Sequence, residues 1–303
     1  MPTKIVLDDH NSVLRDLRSH FEIVRTVGEA DVVVLWQDII MWGLATARTA
    51  KKLKKPIVVV QHGRHGMDDY APPMDYELLA DRVCVWGNEG QDKLLSAGIP
   101  IKRIEITGTT IFSHLIERKP HKEINIVFCP EHWDYDIEEN LKMMTELSPI
   151  CKKNNWRLIA KIMEKHESKN YNLADEIAFS HRDKLGHLEE CAEVLSRTDI
   201  VVTLSEITFE LMAQYLNIPV IACDIVRPRT FNENLKYLDY IRPFSKAVKK
   251  IQELKYLEET IKQQLEFPNE LQKERLDVCK YEGGIYIKDP LQKMIDVIEN
   301  LKK

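Results

Sequence analysis

Short apolar runs alternate with amphipathic stretches along most of this chain. Lys4–Leu7, Asp31–Trp36, Ile57–Val60, Arg82–Trp86 and Ile104–Thr107 are apolar, rich in Val and Ile, and too short for helices. Such runs suit buried strands. Between them, Ser12–Phe21, Trp42–Leu53 and Glu89–Ala97 carry apolar residues at helical spacing, and the second ends on the basic KKLKK that suits a helix C-terminus. Gln61–Pro73 (QHGRHGMDDYAPP) reads as a loop. Six of the 11 glycines fall between Gly63 and Gly108. Gly63, Gly87 and Gly108 follow predicted strands, where backbone can approach a ligand closely.

The polar segment Glu117–Glu123 (ERKPHKE) reads as a linker, and the alternation then resumes. Strands are expected at Asn125–Cys129, Arg157–Ile162 and Glu176–Phe179, and helices at Ile137–Lys153 and Leu185–Ser196. Asp199–Asp224 follows as strand, helix and strand, which makes its two strands parallel neighbours. Ser205 stands where an N-cap belongs and Glu206 in the first turn, with Thr208 beside them. Such a helix start is a ready place for a phosphate, although an ordinary crossover in which Ser205 only caps the helix is the competing reading. Ser245–Leu265 reads as helical and charged, and Asp289–Leu301 as a last amphipathic helix. The fold class is α/β: two doubly wound, parallel-sheet (Rossmann-like) domains, 1–118 and 119–303, facing a cleft. Ligands in such sheets bind at strand carboxyl ends, where His62, Glu131, Ser205 and Asp224 sit.

Composition narrows the possibilities. A hydrophobic fraction of 44% and a charged fraction of 30% are those of a globular protein. The net charge of −5 argues against bulk nucleic-acid binding. The six cysteines are scattered, with no CxxC or Cys/His cluster, and read as buried free thiols of a reducing compartment. No leader-like apolar core opens the chain and no run of ~18 apolar residues spans a membrane, so a cytoplasmic location is expected.

Several side chains are candidates for chemistry. His62, between a strand end and Gly63, suits a general base, since imidazole can take a hydroxyl proton near neutral pH; the alternative is a histidine that only caps backbone. Arg64 and Lys161 could meet an anionic acceptor or a phosphate, and a surface role is the alternative for both. His65, Asp68 and Asp69 could suggest a metal site, but loop spacing does not fix ligand geometry, and a solvated loop is the favoured reading.

Three stretches carry a resemblance. VVVQHG (Val58–Gly63), LADRVCVWGNEGQDKLLSAGIPIKRIEITGTTIFS (Leu79–Ser113) and TLSEITFELMAQYLNIPVI (Thr203–Ile221) resemble glycosyltransferases of the GT-B fold. The similarity is to the branch shared by CDP-glycerol glycerophosphotransferases, capsule transferases and UDP-N-acetylglucosamine 2-epimerases. Tyr281–Leu301 is similar to the C-terminal tail of that branch. The resemblance implies a nucleotide-diphosphate sugar as donor, with phosphate at Ser205 and ribose at Glu210, and with Glu131, His132 and His181 as further donor contacts. Leu204 and Glu206 depart from the pattern, as does CPEHWD (Cys129–Asp134), where the epimerases carry a histidine–arginine motif.

Together these readings give a metal-independent glycosyltransferase without a cofactor, moving a sugar or related group to an acceptor hydroxyl, with a saccharide among the candidate acceptors. The alternatives are a nucleotide-sugar epimerase or hydrolase, and a catalytically silent nucleotide-binding protein.

Overall fold

The computed structural model describes residues 23–39, 41–64, 66–70, 76–130, 137–162, 169–179, 187–204, 207–223 and 245–302. The strand expected at Lys4–Leu7 and the amphipathic stretch at Ser12–Phe21 lie outside these. The chain divides into two compact units, one reaching Thr109 and resuming at Gly284, the other running from Thr110 to Gly283. Residues 110–118 thus go with the second unit and the last helix with the first, whereas the sequence placed the division at 118/119.

The first unit holds α1 (residues 23–29), β1 (Val33–Leu35), α2 (Met41–Lys52), β2 (Ile57–Val60), β3 (Arg82–Val85), α3 (Asn88–Ser96) and β4 (Ile104–Ile106). Its four strands are parallel in the order β1-β2-β3-β4, with Val33 opposite Ile57, Val58 opposite Arg82 and Val83 opposite Ile104. Strands covered on both faces are apolar throughout, as in IVVV of β2. Ala47, Ala50, Ile57, Val59, Val83, Val85 and Leu94 form the core with Met67, Tyr70 and Leu78 from the segments between strands.

The second unit holds β5 (Asn125–Cys129), α4 (Ile137–Lys153), β6 (Arg157–Ile162), β7 (Glu176–Phe179), α5 (His187–Ser196), β8 (Ile200–Thr203), α6 (Thr208–Tyr215), β9 (Val220–Cys223), β10 (Lys249–Ile251), α7 (Leu257–Glu266) and α8 (Gln272–Gly283). Its strand order is β10-β9-β8-β5-β6-β7, parallel throughout. Ile126, Phe128, Leu158, Ala160, Ile200 and Val202 pack with Met143, Met144 and Leu147 of α4 and with Leu257 and Ile261 of α7. α9 (Pro290–Asn300) closes the chain with Asp289 as its N-cap, accepting from Gln292 N at 2.9 Å.

Three expectations are corrected here. Ser245–Leu265 is not one helix: β10 adds to the sheet edge with Lys249 opposite Ile221, and α7 starts only at Leu257. Its lysines suggested a helix face, but they suit an edge strand, where charge discourages further pairing. The Glu117–Glu123 stretch is held to the second unit. Arg118 donates to Thr198 O at 2.8 Å and to Asp199 at 2.9 Å, Lys119 N donates to Ser196 O at 2.7 Å, and His121 Nε2 meets Asp199 at 2.7 Å. Gly108 meets protein backbone and side chains. At φ +78° its Cβ would lie 2.9 Å from Ile287 Cβ, and beside it Gly284, at φ +61°, would drive a Cβ to 2.0 Å from Trp86 O. The sequence also gave no sign of α8, which is mostly polar. It is secured by buried Arg275, which donates at 2.8 Å to the carbonyl of Asn217 and at 2.7 Å to that of Pro268. Among the described residues no helix is long and apolar enough to cross a membrane.

Candidate functional site

In the first unit the loop after β2 is far more built than its polar composition suggests. Gln61, 3% exposed, accepts the Trp86 N–H at 2.9 Å and donates to Gly63 O at 3.0 Å, while its own carbonyl accepts the Trp86 indole N–H at 2.8 Å. This close approach requires Gly90 in α3, because a Cβ there would stand 2.9 Å from Val85 Cβ and 3.0 Å from Gln61 Oε1. The far end of the loop is anchored as firmly. Tyr70 is fully buried and donates its hydroxyl to Asp38 at 2.6 Å, and Asp38 also accepts the N–H groups of Leu79 and Ala80 at 2.6 and 2.8 Å. Between the ends, Met67 enters the core and Asp68 pairs with Lys93, which also pairs with Glu89. Asp68 therefore has a cationic partner in the fold; His65 and the Asp69 side chain lie outside the described structure.

Against that anchored loop, His62 is exposed. Its Nδ1 lies 3.3 Å from the Trp36 carbonyl. A carbonyl oxygen only accepts, so a hydrogen bond here needs the proton on Nδ1. The Trp36 ring stands 5.9 Å from the imidazole, tilted by 45°. Val34, Leu35, Trp36, Val60, Gln61 and His62 line a groove of about 540 Å³ at the carboxyl ends of β1 and β2. Arg64 is only 1% exposed, unlike the usual solvent-facing loop arginine.

In the second unit the carboxyl ends of the strands bring Lys161 and the start of α6 together. Cys129 pairs with Thr203, Thr203 with Ala222, and Lys161 with Ala178. Lys161 is 2% exposed, with its ammonium 5.2 Å from the centre of the Phe209 ring in the first turn of α6. No carboxylate among the described residues pairs with it. Thr208 begins α6 and is half-buried. Glu210 is fully buried, and its Oε1 accepts the Gln214 amide at 2.6 Å.

The helix starts later than its sequence suggested. Ile207, not Ser205, holds the N-cap position, without a side-chain cap, and the carboxylate of the first turn is Glu210, not Glu206. Ser205, Glu206, Glu131, His132, His181 and Asp224 lie outside the described residues. All six cysteines are buried free thiols. Burial, with Glu105 adding to it, pushes Cys84 up to about 12, and burial with Asp175 does the same for Cys151. These thiols stay protonated and are poor nucleophiles.

Gln61, Asp38 and Trp36 were not singled out from the sequence. The only signals were the WQD that follows β1 and the glutamine preceding His-Gly.

Two units, each a parallel sheet covered by helices, define a GT-B-fold protein. Among solved structures, UDP-GlcNAc 2-epimerase from Neisseria meningitidis bound to UDP-GlcNAc is similar at a TM-score of 0.62 and 15% identity, over 98% of this chain and 84% of that one. Anabaena HepE in complex with UDP and glucose is similar at 0.55 and 11%, over 96% and 83%. The wall teichoic acid polymerase TagF is similar at 0.53 and 13%, over 82% and 68%. No family model and no curated protein sequence matches the chain.

Proposed function

We propose that the protein is a glycosyltransferase that takes a sugar or related group from a nucleotide-diphosphate donor and gives it to an acceptor hydroxyl. One observation carries this reading. Lys161 is a buried cation beside the first turn of α6, with no carboxylate partner among the described residues. A buried ammonium is costly unless it is paired, and a diphosphate set against it and the helix start would offer it an anionic partner. In this reading Glu210 takes a ribose hydroxyl, with Ser205, Thr208, Glu131, His132 and His181 nearby in the donor site. His62 takes the acceptor proton on Nε2. The acceptor oxygen bonds to the anomeric carbon as the donor's carbon–oxygen bond breaks, and the electron pair leaves on the diphosphate. Lys161 and helix amides would stabilise that leaving group, so the chemistry asks for no metal.

Calorimetric titration of UDP, CDP and GDP tests the donor site. One of them should bind, and Lys161→Met or Glu210→Ala should each weaken it by roughly 1.5–3 kcal/mol, the usual worth of a hydrogen bond to a charged group. Unchanged affinity in both variants, each still melting cooperatively, would remove the carboxyl end of β6 and the start of α6 from the donor site.

A further inference from the structure

We propose that His121 is a pH-sensitive latch: as an imidazolium it ties the segment 117–123 to the second unit, and losing its proton releases that segment. The latch belongs to the fold of the second unit and stands apart from the transferase reading.

Both ring nitrogens of His121 meet acceptors. Nδ1 lies 2.8 Å from the Lys119 carbonyl oxygen, and Nε2 lies 2.7 Å from Asp199 Oδ2. A neutral imidazole carries one N–H and one lone pair. It can serve one of these oxygens, but it must turn its lone pair on the other. The imidazolium carries two N–H groups and serves both. Asp199 already accepts at both oxygens, from Arg118 at Oδ1 and from the Asn125 N–H at Oδ2, each at 2.9 Å. That is the role of an ionised carboxylate, so the ring is the group that supplies the proton. The 2.7 Å contact also falls among the lengths of charge-assisted bonds.

The charged groups that face His121 are Asp199, just before β8, and Arg118, which shares Asp199 through its other oxygen. Lys119, Lys122 and Glu123 beside it in sequence are exposed, where water and salt screen them. At the end of α5, Arg197 turns its guanidinium to Glu176 and Glu193, and offers its carbonyl to the Asn125 amide at 2.7 Å. When the His121 proton leaves, one of its two contacts turns from attractive to repulsive. The tie is therefore made on the acid side of histidine's titration range and lost as pH rises through it. Two backbone bonds report its state: Lys119 N–H to Ser196 O at 2.7 Å, and Asn125 N–H to Asp199. His114 provides a contrast in the same stretch of chain. It meets Glu189 through Nδ1 at 3.0 Å, a bond that one neutral tautomer also makes.

Hydrogen exchange followed by NMR on the full chain, with rates corrected for the intrinsic effect of pH, tests the latch. Protection of the Lys119 and Asn125 amides should fall about tenfold between about pH 6 and about pH 8, the span over which histidine changes charge. The amides of β8 should keep theirs. His121→Arg stays charged and can donate to both oxygens, so it should hold the protection at the higher pH. His121→Gln never carries the charge and should show the lower protection at both. His114→Gln should leave the wild-type profile unchanged. Nitrogen-15 spectra of the His121 ring read its charge directly, and two protonated nitrogens are expected at the lower pH. Both wild-type readings stand on their own if a variant folds poorly. A single protonated nitrogen at the lower pH, or wild-type protection equal at the two pH values, would overturn the latch. So would the wild-type pH dependence persisting in His121→Gln, which would place the titrating group elsewhere.

Discussion

His62→Ala should lower turnover by about 10²–10⁴-fold, the usual worth of a positioned general base, while leaving nucleotide affinity nearly unchanged. The imidazole belongs to the first unit, whereas the proposed donor contacts Lys161 and Glu210 belong to the second, so binding and chemistry should separate by mutation. A hydrogen bond from Nδ1 to the Trp36 carbonyl suits the neutral imidazole whose Nε2 takes the acceptor proton in the proposed reaction. Protonation at low pH would occupy Nε2, so activity should fall on the acid side of the profile, and that limb should vanish in the variant. Single-turnover kinetics beside calorimetry would read both halves. Loss of nucleotide affinity along with turnover would make His62 a structural or ligand contact. Undiminished turnover would move the base elsewhere, with Glu131 and His132 the next residues to change.

Asp38→Ala should destabilise the protein by about 3–5 kcal/mol, because it leaves several buried donors without an acceptor at once. The carboxylate is fully buried and accepts from Tyr70, Leu79 and Ala80. It ties the segment after β1 to the end of the His62 loop and to the chain leading into β3. Asp38→Asn should be nearly as harmful, since an amide turns an NH₂ group toward an N–H donor. Tyr70→Phe, which removes one donor to Asp38 and leaves only the Asp38 N–H, 3.3 Å from the hydroxyl, without that acceptor, should cost less, about 1–2 kcal/mol. Denaturant midpoints of the three variants check this ordering. A loss below about 1 kcal/mol for Asp38→Ala would mean that the loop is anchored by its other contacts.

Much of the fold was legible because buried parallel strands must be apolar along their whole length. Ile57–Val60, Asn125–Cys129, Arg157–Ile162, Glu176–Phe179 and Val220–Cys223 fall where their sequences place them. β10 was illegible for the opposite reason, since its lysines reflect an edge position that only the sheet order reveals. α8 carries too few apolar side chains to mark a face, and Arg275 secures it through carbonyls distant in sequence.

The candidate site divides in the same way. His62 was visible as a histidine at a strand end beside glycine. Gln61 was not, because its role depends on the backbone of Trp86 lying beside it. Trp36 looked like the last residue of an apolar strand, and only its exposure and its distance from His62 mark it as part of a groove. From the sequence a surface lysine was the favoured reading of Lys161; burial beside Phe209 gives it a different meaning.

The most direct measurement is the fate of a nucleotide sugar offered to the purified chain with a methyl pyranoside, in EDTA, followed by chromatography and mass spectrometry. The account predicts a new glycoside and free nucleoside diphosphate in equal amounts, with no need for added cation. A donor returned with its sugar epimerised, free sugar without glycoside, turnover only on adding Mg²⁺ or Mn²⁺, or no turnover with any nucleotide sugar would contradict it.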